Sequence, residues 1–224
     1  MPGSPHRAAR AVPLRTVLML ALTFSTGVVD AVGFLSLEHT FAANMTGNLV
    51  LVGLGAIGAI DTDLRGPVGA VLAFVAGAAL GAALARRGDP EPRASAYRGL
   101  HLTAVVLAAV AVGEALRPPD AAWAHVAAVA ALGFAMGAQA ALARRVGVAD
   151  VNTLVVTLPL AAFGSRLAGA AAPGQVRRAA SVGLLALGAV VGGLLSFSAP
   201  WAGIALAAAV TTAVALVGAW RDAS

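Results

Sequence analysis

Asp30, Asn44, Thr46, Gly47 and Asn48 put a carboxyl, two amides, a hydroxyl and a helix-breaking glycine into runs otherwise apolar enough for a membrane. Gln139, Asn152, Thr153 and Thr157 do the same in the other half of the chain. Unpaired polar groups are costly in hydrocarbon, so such residues either line a protein-enclosed, watery cavity or bond to one another. A carboxylate at mid-membrane costs about 2.5–3.5 kcal/mol on insertion scales, which places Asp30 toward the bundle interior. There it either couples to a proton or cation, or caps backbone N–H groups of the neighbouring segment. Gly47 lets backbone approach a ligand, and a half-helix starting beside it would aim its positive end into the membrane, an anion or carboxylate site in principle. Thr153 and Thr157, with Pro159 suited to the first turn of a helix, form the counterpart. The structural alternative is that Asn and Thr hydrogen-bond across helices and only hold them together.

The elements that must position these residues are membrane helices. The 224-residue chain is 59% hydrophobic and 11% charged, with a mean hydropathy of +0.87, where soluble domains carry about a quarter charged residues. Hydropathy predicts spans at 16–37, 66–86, 99–117, 121–142, 179–197 and 201–219, with polar-containing apolar segments at 42–60 and 151–164. The first fifteen residues read as a cytoplasmic, disordered tail, and the apolar run after Arg15 is too long for a cleaved signal peptide. The fold class is therefore all-α: a polytopic bundle of six spans plus two short broken or re-entrant segments. Residues 16–117 form a first membrane repeat and 118–224 a second, together one membrane domain.

The repeat rests on a constant offset. Thr46 and Thr157 differ by 111, as do Gly53 and Gly164, Gly77 and Gly188, and Gly81 and Gly192. Upstream, Phe24-Ser-Thr-Gly27 matches Phe134-Ala-Met-Gly137 at an offset of 110. All fifteen basic residues are arginines in short clusters flanking apolar runs, the distribution that orients membrane proteins rather than one that binds nucleic acid. If all eight segments span, Arg86, Arg87, Arg93, Arg98, Arg144 and Arg145 fall outside, leaving nine of the fifteen in the cytoplasm. If both polar segments enter and leave on one side, only Arg65 and Arg117 fall outside and thirteen of fifteen are cytoplasmic. The second model is preferred, with both termini cytoplasmic and the halves inverted, as in many secondary transporters. Eight spans in parallel repeats is the alternative. The segment from Arg86 to Arg98 is predicted as the longest basic loop.

Asp30-Ala-Val-Gly-Phe-Leu35, Phe41-Ala-Ala-Asn-Met-Thr-Gly-Asn48 and the continuation to Gly53 resemble the YoaK family of bacterial inner-membrane proteins. Ala135-Met-Gly-Ala-Gln139, Arg144 through Thr153 and Thr157 are similar to that family's second hallmark. The family usually has Thr-Gly-Thr-Leu where this chain reads Thr157-Leu-Pro-Leu160, which removes glycine's close backbone approach there. The resemblance implies about six membrane helices and no established substrate.

With no cysteine, disulfides, thiolate metal sites and cysteine catalysis are excluded. HExxH, GxSxG and P-loop motifs are missing, so no enzyme, cofactor or metal is expected. Glu38 and Glu114 read as interfacial, and His101 and His125 as packed or interfacial histidines. Trp123, Trp201 and Trp220 read as interfacial anchors. Gly77-xxx-Gly81, Gly133-xxx-Gly137 and Gly188-xxx-Gly192 permit close helix contact, within the chain or in a homo-oligomer. Two functions compete. One is a small secondary transporter or channel-like permease of the cytoplasmic membrane for a small polar or anionic solute. The other is a non-transporting interaction or scaffold protein.

Overall fold

The computed structural model describes residues 12–86, 92–118, 122–147 and 174–223. It contains the helices α1 (Leu14–Ser36), α2 (Met45–Ala56), α3 (Arg65–Arg86), α4 (Pro92–Ala115), α5 (Ala122–Val146), α6 (Gln175–Ser196) and α7 (Pro200–Ala223). All but α2 are long and apolar enough to cross a membrane. Their sequences are Ala-, Leu- and Val-rich on every face, as expected where one side meets packed helices and the other meets lipid. Pro92 and Pro200 open α4 and α7, where the missing N–H costs nothing. The basic segment expected to be a loop up to Arg98 is mostly the first turns of α4, because a proline at its first helical position lets the helix start early.

Two faces of the bundle are distinguished by their residues. Glu38 at the end of α1 meets His125 at the start of α5, and the Thr40 hydroxyl lies against Gly66 at the start of α3. At the other end, Leu18 and Met19 of α1 pack with Tyr97 of α4, Leu142 of α5 and Val214 of α7. α1 thus ends where α3 starts. The segment between them, containing α2, leaves and returns at one face and does not cross. α2 is 12 residues long, roughly 18 Å, short of the ~30 Å hydrocarbon core.

Glycines set the two closest seams. A Cβ on Gly27 would run into the Leu185 carbonyl, one on Gly188 into the Phe24 carbonyl, and one on Gly192 into the Val28 carbonyl, so α1 and α6 run parallel in backbone contact. A Cβ on Gly137 would meet the Phe74 carbonyl, one on Gly77 the Phe134 carbonyl, and one on Gly81 the Ala138 carbonyl, so α3 and α5 do the same. α4 packs on α5 and α7, and α7 also on α1. α3 and α6 lie at the periphery, least buried of the spans. Arg15, Arg86, Arg98, Arg144, Arg145, Arg177, Arg178 and Arg221 belong to helix ends at the Arg15 face, whereas Arg65 and Arg117 belong to the Glu38 face.

Candidate functional site

After α1 the chain turns back on itself. Leu37 N–H donates to the Gly33 carbonyl at 3.0 Å, and Glu38 and His39 adopt left-handed conformations at φ 55° and 50°. Left-handed backbone costs a residue with a Cβ roughly 1–2 kcal/mol, so contacts made by the next few residues must hold this reversal. Thr40 to Asn44 run down the side of α1, with the Thr40 carbonyl lying where a Gly33 Cβ would be. Phe41 stacks on Phe34 with centroids 4.8 Å apart, and His39 meets the same ring edge-on at 5.5 Å.

The polar residues hold this descent. Asn48 is wholly buried; its Oδ1 accepts from Phe41 N–H at 2.9 Å and its Nδ2 donates to the Phe41 carbonyl at 2.7 Å. A side-chain amide here replaces the backbone partner that a non-helical segment lacks within the membrane. Asn44 is the N-cap of α2, accepting from Gly47 N–H at 3.2 Å. Gly47 is required because a Cβ there would lie 2.8 Å from the Phe41 ring. Asp30, six residues before the end of α1 and so roughly 9 Å below it, accepts through Oδ1 from Ala43 N–H at 2.6 Å and Asn44 N–H at 3.3 Å. Asp30 retains partial exposure, and Asn44 and Thr46 are exposed beside it.

The half-helix starts beside Asp30, more than a turn inside the end of α1. Its leading N–H groups meet the carboxyl of Asp30, so the donors an anion would need are engaged by the protein's own acceptor.

Gln139 sits one turn away. Its Nε2 donates to Thr26 Oγ1 at 3.3 Å, and its Oε1 accepts from Thr211 at 3.5 Å. Thr26 also donates to the Leu22 carbonyl at 2.9 Å, and Ser25 donates to the Ala207 carbonyl at 3.4 Å. All four side chains are buried, tying α1, α5 and α7 together. Thr26 and Thr211 escaped the sequence reading because a lone threonine in a span usually bonds its own helix. Thr26 lies four residues before Asp30, on the same face, and that spacing was the available signal. Asn152, Thr153 and Thr157 lie outside the described residues.

Glu38 and His125, read separately in the sequence, pair at 3.3 Å between Oε1 and Nδ1, pinning the turn to α5. Beyond α2, exposed Arg65 donates through Nε to both oxygens of partly exposed Asp63, at 3.0 and 2.8 Å. These bonds hold the Asp63 carboxyl below the ordinary carboxylate range. Among the described residues no three acidic or histidine side chains gather to hold a metal.

Comparison with family models matches residues 18–217 to a family described as "Protein of unknown function (DUF1275)". The chain belongs to that family. The UPF0700 transmembrane protein YoaK of Bacillus subtilis (strain 168) is 30% identical over 157 residues, which are 68% of this chain and 67% of that protein. The resemblance read from the Asp30 and Asn44 segments is borne out. No solved structure matches. The DUF1275 match runs from within α1 to within α7 and includes every polar residue of the half-helix site.

Proposed function

We propose that this DUF1275 protein is a small permease of the cytoplasmic membrane, whose solute is handled at the head of α2 beside Asp30. The observation that carries the reading is Asp30 Oδ1 on the Ala43 and Asn44 amides, which fixes a carboxyl beside exposed Asn44 and Thr46 at the tip of a re-entrant half-helix. Irregular backbone with ionisable and amide groups at membrane depth is the construction found where a bundle binds a solute or ion. Because Asp30 already engages the leading amides, the arrangement favours the polar arm of the expectation, a neutral or cationic solute, over the anionic one.

Two further features support the architecture this reading needs, a pair of halves inverted about an axis in the membrane plane. Exchanging the halves at offsets of 110 and 111 carries Phe24 against Gly188 into Phe134 against Gly77, and Val28 against Gly192 into Ala138 against Gly81. The first helices of the halves, α1 and α5, run opposite ways, since the end of one meets the start of the other at Glu38 and His125. The concentration of arginines at the Arg15 face favours placing that face, and both termini, in the cytoplasm. The reading involves no covalent step.

The scaffold reading is favoured by Gln139 and Asn48, whose amides are satisfied within the chain. Flux into proteoliposomes separates the two. The permease reading expects uptake of a neutral polar or cationic solute that is largely lost in Asp30→Asn, a variant that keeps an acceptor for the two amides. Absence of flux and of solute-induced stabilisation across a broad panel, with Asp30→Asn neutral in cells, overturns it.

A further inference from the structure

A groove of 680 Å³ runs along the seam of α4 and α5 from Arg117, at the Glu38 face, down to Val105. Twelve residues separate these two, roughly 18 Å of helix against the ~15 Å that half of a ~30 Å hydrocarbon core occupies. The groove exists because its walls are small: Gly113, Ala124, Ala127 and Ala131 leave room beside the chain. Nothing lies within 4 Å of where a Gly113 Cβ would be. Its floor is apolar, and its mouth is not.

At the mouth, Arg117 donates through Nε to Glu114 at 3.0 Å and through Nη1 to the Pro118 carbonyl at 3.4 Å. Two of about five N–H donors are thus used in fixing the guanidinium, and the rest are left to it. Trp123, also lining the mouth, is 76% exposed, as an indole at headgroup level would be. A second groove, of 290 Å³, opens at the opposite face between the start of α1 and the end of α7, with Arg15 and Arg221 in its lining. Exchange of the two halves turns the α4–α5 seam into this α7–α1 seam, so among the described residues a groove with arginine at its rim is found at both faces.

We propose that the α4–α5 groove binds a membrane glycerophospholipid, one acyl chain lying between the helices and the phosphate on Arg117. The length matches one leaflet, the floor matches an alkyl chain, and an oriented guanidinium at the rim matches a phosphodiester. This inference does not rest on the permease reading.

The test is native mass spectrometry of the chain released from nanodiscs of phosphatidylethanolamine and phosphatidylglycerol. Wild type is expected to retain about one phospholipid per chain, as a lipid-headgroup site between helices does. Gly113→Leu places a branched side chain in the slot from a Cβ that meets nothing within 4 Å, and is expected to lose that lipid. Gly183→Leu, equally open but on α6, is expected to keep it. Arg117→Gln is expected to lose phospholipid while still taking up diacylglycerol, which has the chains without the phosphate. Equal retention in Gly113→Leu and wild type overturns the proposal. So does a second copy of the chain, rather than lipid, lost from Gly113→Leu, or phospholipid retention unchanged by Arg117→Gln.

Discussion

Replacing Asn48 with Leu tests whether the descending segment is held by the amide clamp. The two side chains are similar in size, so the change removes hydrogen bonds with little loss of volume. It leaves Phe41 N–H and C=O, now bonded at 2.9 and 2.7 Å, without the wholly buried Asn48 amide, on a residue that is itself partly buried. Each orphaned buried group costs about 1–3 kcal/mol, so the pair sets a range of about 2–6 kcal/mol. Interhelical polar bonds in membrane proteins average only about 0.6 kcal/mol, because the unfolded helix finds other partners. That discount is weaker here, since Phe41 lies outside any helix. About 2–4 kcal/mol is the expected loss, measured as the shift of an SDS-titrated unfolding curve in mixed micelles. Thr46→Ala, at an exposed neighbour, should move the curve by less than about 0.5 kcal/mol. A loss below about 0.5 kcal/mol in Asn48→Leu, with amide exchange at 40–44 unchanged, refutes the reasoning.

Gly77→Ala and Gly188→Ala each drive a methyl into a carbonyl of the facing helix and should cost more than about 2 kcal/mol by the same unfolding assay. Gly53→Ala and Gly183→Ala meet open space and should be neutral or stabilising by up to about 1 kcal/mol. Gln139→Leu should cost only about 0.6–1.7 kcal/mol, because Thr26 keeps its bond to the Leu22 carbonyl. Asp63 has a folded carboxyl pKa below its unfolded value, so its contribution is complete above the unfolded pKa and disappears as pH falls through the folded one. Because water screens a pair this close to the surface, a carboxyl NMR titration should show the lowered pKa while Asp63→Asn leaves the neutral-pH unfolding curve unmoved.

The six spans were legible because length and apolarity alone decide what crosses a bilayer. The re-entrant path of the first polar segment was legible by a different signal, the bias of arginines that an eight-span chain would spoil. The roles within that segment were not. Asn48 could equally have faced a cavity, and only its position one helical turn past the Phe41 descent turns it into a backbone partner. Glu38 with His125, and Gln139 with Thr26 and Thr211, join residues far apart in sequence, and no local pattern reports such a pairing. α4 began earlier than hydropathy indicated because Pro92 starts a helix that its arginines do not forbid. The Gly113 groove was invisible because small residues read as close-packing signals, and whether a neighbour fills the space depends on the facing helix.

The glycine seams and the polar site obey different rules. Along the seams the halves correspond residue by residue: Gly27 with Gly137, Gly77 with Gly188, Gly81 with Gly192. At the half-helix they part. The same offsets carry Asp30 to Ala140, Asn44 to Val155 and Asn48 to Pro159, so at the matching positions the second half has neither carboxyl nor amide and keeps Thr157 opposite Thr46, while Asp150, Asn152 and Thr153 stand at other offsets. A protein whose polar residues served only to lock a symmetric bundle would have the same need in both halves. The packing that both halves need is duplicated, whereas among the described residues the carboxyl with its two amides belongs to the first half. That asymmetry is a reason to look for a function at Asp30. It also means that moving the clamp, with Pro159→Asn in a Leu158→Gly background, should leave any Asp30-dependent flux unchanged, and a gain of flux there would assign the function to the pair of segments rather than to α2.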